Sequence, residues 1–257
     1  MIYAGRMAAT YNAEFFGTYA SASQRSAAII VPIVNDLVQP HSVLDVGCGL
    51  GTWLAEWNRV GVNDVIGLDG NYVDPNSLRM PTSNFVPTDL NTSFSLGRKF
   101  DLVESLEVAE HLEEDRADQL VEAIANHGDT VLFSAAIPGQ GGVHHVNEQW
   151  PSYWVKKFSE QGMALFDVIR PTIWQNPEVE VWYRQNIFVF SSALKLDRSP
   201  LPIDLVHPEL WDVKRLTPPT LRSLLNDFPE ASRASLQYRL KKLREVVHPR
   251  AERDGAH

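Results

Sequence analysis

The chain has 257 residues, of which 44% are hydrophobic and 21% are charged, a composition that is ordinary for a soluble globular protein. Its net charge of -9, with no long unopposed basic stripe over the glycine-rich half, disfavours nucleic acid as the main substrate because phosphate binding depends on positive charge. The single cysteine excludes an intrachain disulfide and fits a reducing cytoplasm.

We expect neither a signal peptide nor a membrane span in the amino-terminal segment. It lacks a basic stretch followed by an apolar core. The longest apolar run, Ala27 to Val34, is too short to cross a bilayer and contains Pro32. We therefore expect a cytoplasmic protein with no membrane partner, and a helical leader over residues 1–40.

A short apolar strand over Val43–Val46 runs into a glycine-rich turn and then into a helix from Thr52. Glycines at alternate positions let the backbone turn sharply and approach a ligand. The strand, turn and helix amino-terminus predict a pocket lined by backbone N–H donors, suited to a nucleotide-like cofactor. The third glycine is Gly51 rather than residue 52, so the turn does not fit the dinucleotide fingerprint and NAD is disfavoured.

The pattern Asp45-x-Gly47-x-Gly49-x-Gly51 resembles motif I of the class I S-adenosylmethionine-dependent methyltransferases. The alternative is a glycine-rich turn that binds no ligand. The resemblance implies that the turn lies beside the aminoacid portion of the cofactor and that the leader covers the pocket as a lid, unless its aromatic residues only pack. The cofactor contacts expected from these two segments are Tyr11, Asp45, Gly47, Cys48, Gly49, Gly51 and Trp53.

Two later acids follow short strands. Asp69 ends the apolar stretch from Asp64, and Asp89 follows the stretch from Asn84. The resemblance implies that Asp69, with Gly70 beside it, binds the ribose hydroxyls, and that Asp89 binds the adenine amino group while Leu90 packs near the ring. The alternative for each acid is an ordinary turn or cap residue.

The segment Phe100–Leu112 resembles the fourth strand of the same family, followed by the "EVxEH" turn of small-molecule methyltransferases. The turn falls at the carboxyl end of the strand, where open parallel sheets bind their ligands. The resemblance places Ser105, Leu106 and Glu107 at the cofactor. His111 is a candidate base, although a structural role is favoured for it.

Thr130–Ser134 is the predicted fifth strand, and the glycine-rich loop that follows it is expected to contain the catalytic residues. His144 or His145 is expected to act as a general base for O-methylation. In a second interpretation, a histidine and Glu148 hold a divalent metal that binds a diol. We predict no metal, because adjacent histidines point in different directions and no second acid lies at short ligand spacing. In a third interpretation, the histidines bind loop backbone and cap the next helix.

Aromatic and polar residues around this loop and in a later insertion are the candidate acceptor-binding residues. The insertion, Pro171 to Gln185, separates predicted strands at Met163–Arg170 and Asn186–Ser191. Its alternative role is to cover the sheet edge. The predicted acceptor contacts are Asn147, Glu148, Trp150, Tyr153, Trp174 and Trp182.

The predicted fold is α/β: a Rossmann-like, seven-stranded, mostly parallel sheet over residues 41–194, with helices on both faces and an antiparallel last strand. A helical extension follows over residues 195–257. Its last helix carries apolar residues on one stripe, and this stripe could pack on the core, pair with a second copy of the chain or touch an acidic surface. The stripe residues are Leu236, Leu240, Leu243 and Val247.

We therefore expect a methyltransferase that uses S-adenosylmethionine to methylate a hydroxyl of a sugar, a glycan end or a secondary metabolite. The stretch Ser134–Ile137 stands where many amino-group methyltransferases have Asn-Pro-Pro-Tyr or Asp-Pro-Pro-Tyr, which disfavours methylation of DNA bases. Two alternatives are a module that binds the cofactor without methyl transfer and an enzyme that cleaves or cyclises the cofactor itself.

Overall fold

The computed structural model describes residues 13–196 and 203–211, with side chains from residue 21 onward. The chain divides into two compact units, residues 1–210 and 211–257. Of the second unit only Trp211 is described. Tyr11 and the apolar stripe from Leu236 to Val247 lie outside the described residues, so their predicted roles remain predictions.

The strands and the main helices of the described part of the first unit have the following bounds. The strands are β1 (Ser42–Val46), β2 (Asp64–Asp69), β3 (Phe85–Pro87), β4 (Leu102–Leu106), β5 (Thr130–Ser134), β6 (Ala164–Phe166) and β7 (Phe188–Ser191). The helices are α1 (Ala13–Val38), α2 (Thr52–Arg59), α3 (Ala117–His127), α4 (Pro151–Glu160), α5 (Arg170–Ile173) and α6 (Val181–Asn186). Among the described residues, none of these helices has the length and apolar character that a bilayer span requires.

The strands form one sheet in the order β3-β2-β1-β4-β5-β7-β6. The pairs from β3 to β5 are parallel, and β7 is antiparallel to both β5 and β6. Strand–helix alternation with short connections favours such parallel pairing through crossovers. The predicted seven-stranded, mostly parallel sheet with an antiparallel last strand is confirmed.

Strand β6 is shorter than the predicted Met163–Arg170. The chain leaves the sheet after Phe166, and Arg170 begins helix α5. The Arg170 guanidinium is buried, where it donates to the carboxylate of Asp167 and to the carbonyl oxygen of Gln185. A buried cation requires such partners, and Pro171 cannot donate to a strand ladder. The prediction was therefore wrong at the carboxyl end of this strand.

Successive residues of each strand pack against opposite faces of the sheet, as strand geometry requires. On β1, Val43 belongs to a core cluster with Ile30 of α1 and Trp57 of α2. Its neighbour Leu44 belongs to a second cluster, with Ile124 of α3 and Phe158 of α4. Helices therefore cover both faces of the sheet, as predicted.

Two buried acids lie side by side under helix α2. The parallel register pairs Asp45 on β1 with Glu104 on β4, and both side chains are buried. Trp57 Nε1 of α2 donates to Glu104 Oε2 at 2.9 Å. Burial raises the pKa of Glu104 to about 8, and burial together with the Glu104 carboxyl raises the pKa of Asp45 well above its usual range. The Glu104 carboxyl therefore keeps its proton in most folded molecules at neutral pH.

Because of this pair, we expect Glu104→Gln to change how stability depends on pH. Between pH 4.5 and about 8, the folded protein keeps a proton on Glu104 that the unfolded chain has already released. The free energy of unfolding of the native protein therefore falls as pH rises through this window. Glutamine keeps a hydrogen-bond acceptor for Trp57 but does not titrate, so the stability of the variant relative to the native protein should rise with pH.

The slope should be at most about 1.4 kcal/mol per pH unit, the value for one proton. Urea unfolding at several pH values measures it. Glu122→Gln, which makes the same chemical change at an exposed position of α3, should leave the pH profile parallel to that of the native protein. Parallel profiles for both variants would show that Glu104 keeps no extra proton.

Candidate active site

The glycine-rich turn connects β1 to α2 at the carboxyl edge of the parallel strands. Gly47, Gly49 and Gly51 have φ angles of 92°, 53° and 73°, in the left-handed region that favours glycine. A Cβ added to Gly47 would lie 2.3 Å from Cγ2 of Val108, in the segment that follows β4. The turn that carries the acidic and histidine residues after β4 therefore lies directly against the glycine-rich turn.

The N–H groups of the turn bond within the protein. The amides of Gly47 and Cys48 both donate to the carbonyl oxygen of Leu68, and the amide of Gly51 donates to the carbonyl oxygen of Cys48. The amide of Gly49 donates to Asp69 Oδ2 at 2.7 Å. The prediction of a pocket lined by N–H donors is therefore wrong for these four residues. The turn offers close backbone approach, because it has little side-chain bulk.

Asp69 is buried at the carboxyl end of β2, and its carboxylate accepts hydrogen bonds from neighbouring backbone amides. Besides Gly49, it accepts hydrogen bonds from the amide of Gly70 at 2.7 Å and from the hydroxyl of Tyr72 at 2.5 Å. Burial raises its pKa, although these hydrogen bonds act in the opposite direction. Sequence analysis did not select Tyr72, because no pattern predicts that its hydroxyl turns back onto Asp69.

Asp89 lies near Asp69 but uses its side chain within its own turn. The amide of Thr88 donates to the carbonyl oxygen of Asp69 at 2.7 Å, which brings the end of β3 beside the end of β2. The exposed carboxylate of Asp89 accepts from the backbone and side-chain amides of Asn91, each at 3.0 Å. Leu90 is half-buried on the second core cluster.

Four other predicted cofactor residues pack largely inside the protein. The Cys48 side chain faces Gly67, where an added Cβ would lie 2.6 Å from the sulfur, and burial raises the pKa of the thiol. The Trp53 ring lies edge-on to Tyr183 in the first core cluster. The Ser105 hydroxyl donates to the carbonyl oxygen of Val46. Leu106 is half-buried at the end of β4.

Glu107 begins the turn after β4 in a strained conformation. Its φ is 56°, which is uncommon for a residue with a side chain. Its amide donates to Ser134 at the end of β5, and its carboxylate accepts from Gln140 Nε2 and Asn186 Nδ2, each at 3.1 Å. Burial raises its pKa against these hydrogen bonds. Glu107 thus connects β4, the glycine-rich loop and the last residue of α6.

Three side chains of the types that can bind a metal ion lie together beside Glu107. One ligand atom of each of Glu110, His111 and His145 lies within 4.8 Å of the others. The two imidazole rings are edge-on, with centroids 4.8 Å apart. Burial, followed by the charge of His145, lowers the pKa of His111 to about 4, so this ring is neutral at physiological pH.

Glu110 is the most deeply buried member of this group. Both its carboxylate oxygens are buried without a hydrogen-bond partner. Burial and the neighbouring Glu107 carboxylate raise its pKa well above the usual range. The glycine-rich loop between β5 and α4, residues 135–150, is termed the histidine loop. The carbonyl oxygen of Glu110 accepts from the amides of Val146 and Asn147, which holds this loop against the turn after β4.

Glu148 stabilises the conformation of the histidine loop through hydrogen bonds. Its carboxylate accepts from the amides of Gly139 at 2.7 Å and Gly141 at 2.6 Å, and it lies 2.9 Å from His145 Nδ1. These hydrogen bonds lower its pKa, although burial opposes them. His144 is exposed and has a φ of 59°. The adjacent histidines therefore differ: His145 turns inward to His111 and Glu148, while His144 stays at the surface.

The predicted acceptor-binding residues fall into two groups. Asn147 is buried in the histidine loop, Trp150 is 38% exposed before α4, and Tyr153 is half-buried on α4. In the insertion, the Trp174 ring packs 4.4 Å from His207 and the Trp182 ring lies 6.0 Å from Tyr183. The roles of all of these residues in acceptor binding remain predictions.

The comparison with protein families gives one match. The model of a family described as a methyltransferase domain matches residues 18–167. No curated protein matches the chain in sequence.

Solved structures share the fold at low sequence identity. Magnesium protoporphyrin IX methyltransferase (ChlM) from Synechocystis PCC 6803, with bound S-adenosylmethionine, is 19% identical, with a TM-score of 0.50 over 67% of this chain and 80% of that one. DesVI of Streptomyces venezuelae is 17% identical, with a TM-score of 0.54 over 70% and 96%. The sugar N-methyltransferase KedS8 from Streptoalloteichus is 16% identical, with a TM-score of 0.52 over 69% and 91%.

Proposed function

The chain belongs to the methyltransferase domain family whose model matches residues 18–167, and from this premise we propose that it transfers the methyl group of S-adenosylmethionine to a hydroxyl oxygen of a small molecule. The observation that carries the proposal is the contact of the glycine-rich turn with the turn after β4, where Gly47 meets Val108. A cofactor at the first turn and an acceptor at the second would be adjacent.

The cofactor assignment rests on the shape of the turn and on Asp69. The left-handed glycines allow the backbone to approach a ligand closely, and Asp69 lies buried beside them with its carboxylate at the strand end. ChlM, a neighbour of the same fold, was crystallised with S-adenosylmethionine. These features support the same cofactor in this chain, although the turn would bind it with fewer N–H groups than the sequence suggests.

A small polar acceptor fits the second turn. Glu107, Glu110, His111 and His145 supply carboxylates and imidazoles there, and the net charge of the chain is -9. A protein with this net negative charge repels the phosphates of a nucleic acid. KedS8 is described as acting on a sugar nitrogen. We propose an oxygen acceptor with a histidine base, and the Ser134–Ile137 stretch, which stands in place of an Asn-Pro-Pro-Tyr sequence, disfavours methylation of DNA bases.

The reaction needs alignment and the removal of one proton. The acceptor O–H gives its proton to a base, the oxygen attacks the methyl carbon, and the carbon–sulfur bond breaks to release S-adenosylhomocysteine. Holding the three reacting atoms in line supplies most of the rate. His144 and His145 are the proposed bases. His145 is the better oriented of the two, because Glu148 holds its Nδ1.

Product analysis tests the function. The purified protein is incubated with S-adenosylmethionine and a panel of sugars, catechols and phenols, and S-adenosylhomocysteine and methylated acceptor are measured by mass spectrometry. Equal amounts of both products support the proposal. Methylthioadenosine would identify an enzyme that cleaves the cofactor. Calorimetric binding of the cofactor without any product across the panel would instead favour a binding module.

We expect Asp69→Ala to weaken cofactor binding by about 1–3 kcal/mol, the range for leaving buried polar partners unpaired. Calorimetry with S-adenosylhomocysteine measures the loss. Since Asp69 also fastens Gly49 and Tyr72, Tyr72→Phe serves as the control for the loss of one internal hydrogen bond. Unchanged affinity in Asp69→Ala would contradict a ribose-binding role.

A further inference from the structure

We infer that Glu110, His111 and His145 bind a divalent transition-metal ion beside the glycine-rich turn, and that this ion binds the acceptor through two adjacent oxygen atoms. The part that concerns the acceptor rests on the proposed methyl transfer, whereas the metal site stands by itself. The three ligand atoms come from two segments that are far apart in sequence and lie within 4.8 Å of one another. Ligands at about 2.0–2.2 Å from one ion lie roughly 3–4 Å apart, so only small side-chain shifts are needed.

Glu110 gives an independent reason for a ligand at this position. Its side chain is fully buried, and neither oxygen has a hydrogen-bond partner. Such a group is costly to bury, and buried polar groups in native proteins are nearly always paired. The Glu107 carboxylate beside it accepts hydrogen bonds from Gln140 and Asn186, and its proximity raises the pKa of the Glu110 carboxyl. A cation would satisfy the Glu110 oxygens and offset the charge of two neighbouring carboxylates.

The surroundings of His145 resemble those of a metal-binding histidine. Its Nδ1 lies 2.9 Å from Glu148 Oε1, and Glu148 is itself held by the amides of Gly139 and Gly141. Metal-binding histidines usually give one ring N–H to a carboxylate, which leaves the other nitrogen for the ion. For His145 that nitrogen is Nε2, which lies against Gly142, where no side chain intervenes.

The objection that adjacent histidines point apart does not apply to this group. Only His145 of the pair takes part, and its imidazole partner is His111, from the turn after β4. Likewise the carboxylate ligand is Glu110, while Glu148 orients His145. The loop is fixed in this position because the amides of Val146 and Asn147 donate to the carbonyl oxygen of Glu110.

Two imidazoles and one carboxylate suit Zn²⁺, Co²⁺, Mn²⁺ or Fe²⁺ better than Ca²⁺, which prefers six or more oxygens. Three protein ligands leave coordination positions open. A catechol, a vicinal diol or a 2-hydroxy acid can fill two of them. With His145 bound to the ion, the ion replaces this histidine in its proposed role as base. It lowers the pKa of the bound hydroxyl, whose proton passes to solvent before the oxygen attacks the methyl carbon and S-adenosylhomocysteine leaves.

Metal titration tests the site without cofactor or acceptor. The protein is dialysed against chelator, its metal content is checked by elemental analysis, and Co²⁺ is titrated while the visible absorption is followed, with Zn²⁺ in parallel by calorimetry. We expect one ion per chain. Glu110→Gln and His145→Ala should each weaken binding by at least 100-fold. Glu148→Gln should weaken it by about 10–100-fold, as expected for a carboxylate that orients a ligand.

His144→Ala is the matched control, since this histidine is adjacent in sequence but exposed and outside the group. It should bind Co²⁺ with unchanged affinity. Circular dichroism and thermal melting establish that each variant is folded; should Glu110→Gln fail to fold, His145→Ala and Glu148→Gln suffice. No stoichiometric binding, or equal affinity in the native protein, His144→Ala and His145→Ala, would overturn the metal site.

Failure of the metal site and failure of the proposed function are distinguishable. If the protein binds no Co²⁺ and its methylation activity is insensitive to chelator, the metal site is rejected and the methyltransferase function is retained. Co²⁺ binding without any methylated product keeps the metal site. Comparing catechol with phenol as acceptors tests the bidentate contact: we expect at least tenfold higher kcat/KM for catechol with metal present, and equal values would overturn that contact.

Discussion

Gly47→Ala is expected to reduce affinity for S-adenosylmethionine by more than tenfold and to destabilise the fold. At φ 92° the new side chain is strained, which costs about 1–2 kcal/mol. The Cβ would also lie 2.3 Å and 2.8 Å from the two γ-carbons of Val108. Overpacking of this kind costs a further ~1–3 kcal/mol. Either the glycine-rich turn or the turn after β4 must move, and the cofactor pocket opens. Calorimetry with the cofactor and urea unfolding measure the two effects.

The double variant Gly47→Ala/Val108→Ala separates steric crowding from backbone strain. Removal of the two γ-carbons relieves the contact but leaves the φ angle, so we expect partial recovery of both stability and affinity. Val108→Ala alone is the control for the lost methyl groups. Native affinity in Gly47→Ala would show that the two turns do not meet at the cofactor.

Replacement of both His144 and His145 by alanine should reduce turnover by about 10²–10⁴-fold, the usual contribution of a positioned acid or base. Cofactor affinity should change little, because His145 contacts His111 in the turn after β4 and Glu148 in its own loop. Single-turnover rates together with calorimetry measure both quantities. Full activity in the double variant would remove both histidines from the mechanism.

The single variants assign the two histidines. If His145 is a metal ligand, His145→Ala should account for most of the lost turnover, and excess metal should restore part of it. If His144 is the base, His144→Ala should lose turnover at unchanged metal content. Equal and small losses in both single variants would instead support the interpretation in which the histidines only bind loop backbone.

The fold could be predicted because most of its strands and helices have a recognisable local sequence pattern. The apolar run Val43–Val46, the glycines after it and the apolar face of α2 identify the first β–turn–α unit, and repetition of such units dictates a parallel sheet. The end of β6 could not be predicted, because Arg170 leaves the strand for partners at Asp167 and Gln185. Such partners are tertiary contacts, which local propensity does not contain.

The site was predicted less completely, for the same reason. The sequence indicates that Asp69 lies at a strand end, but not that its oxygens hold Gly49, Gly70 and Tyr72. It likewise does not show that the amides of the glycine-rich turn bond to Leu68 and to other protein groups.

Glu110 is the clearest case. Glu110 lies in the "EVxEH" stretch between Glu107 and His111, which the sequence analysis selected. Only the folding of the histidine loop brings His145 close to it. A spacing rule that counts neighbours along the chain cannot find a group whose members are more than thirty positions apart. The sequence signal that could have identified Glu110 is its spacing of three residues from Glu107, on the other side of Val108.

Strand β7, the last of the seven to be synthesised, lies between β5 and β6 rather than at an edge of the sheet. While the ribosome is still translating the insertion, the nascent chain exposes the open side of β5 and the unpaired β6. Unpaired strand edges are templates for association with other chains. The sheet therefore closes only after Ser191 has left the exit tunnel, and a premature stop codon before Phe188 would release a fragment prone to aggregate.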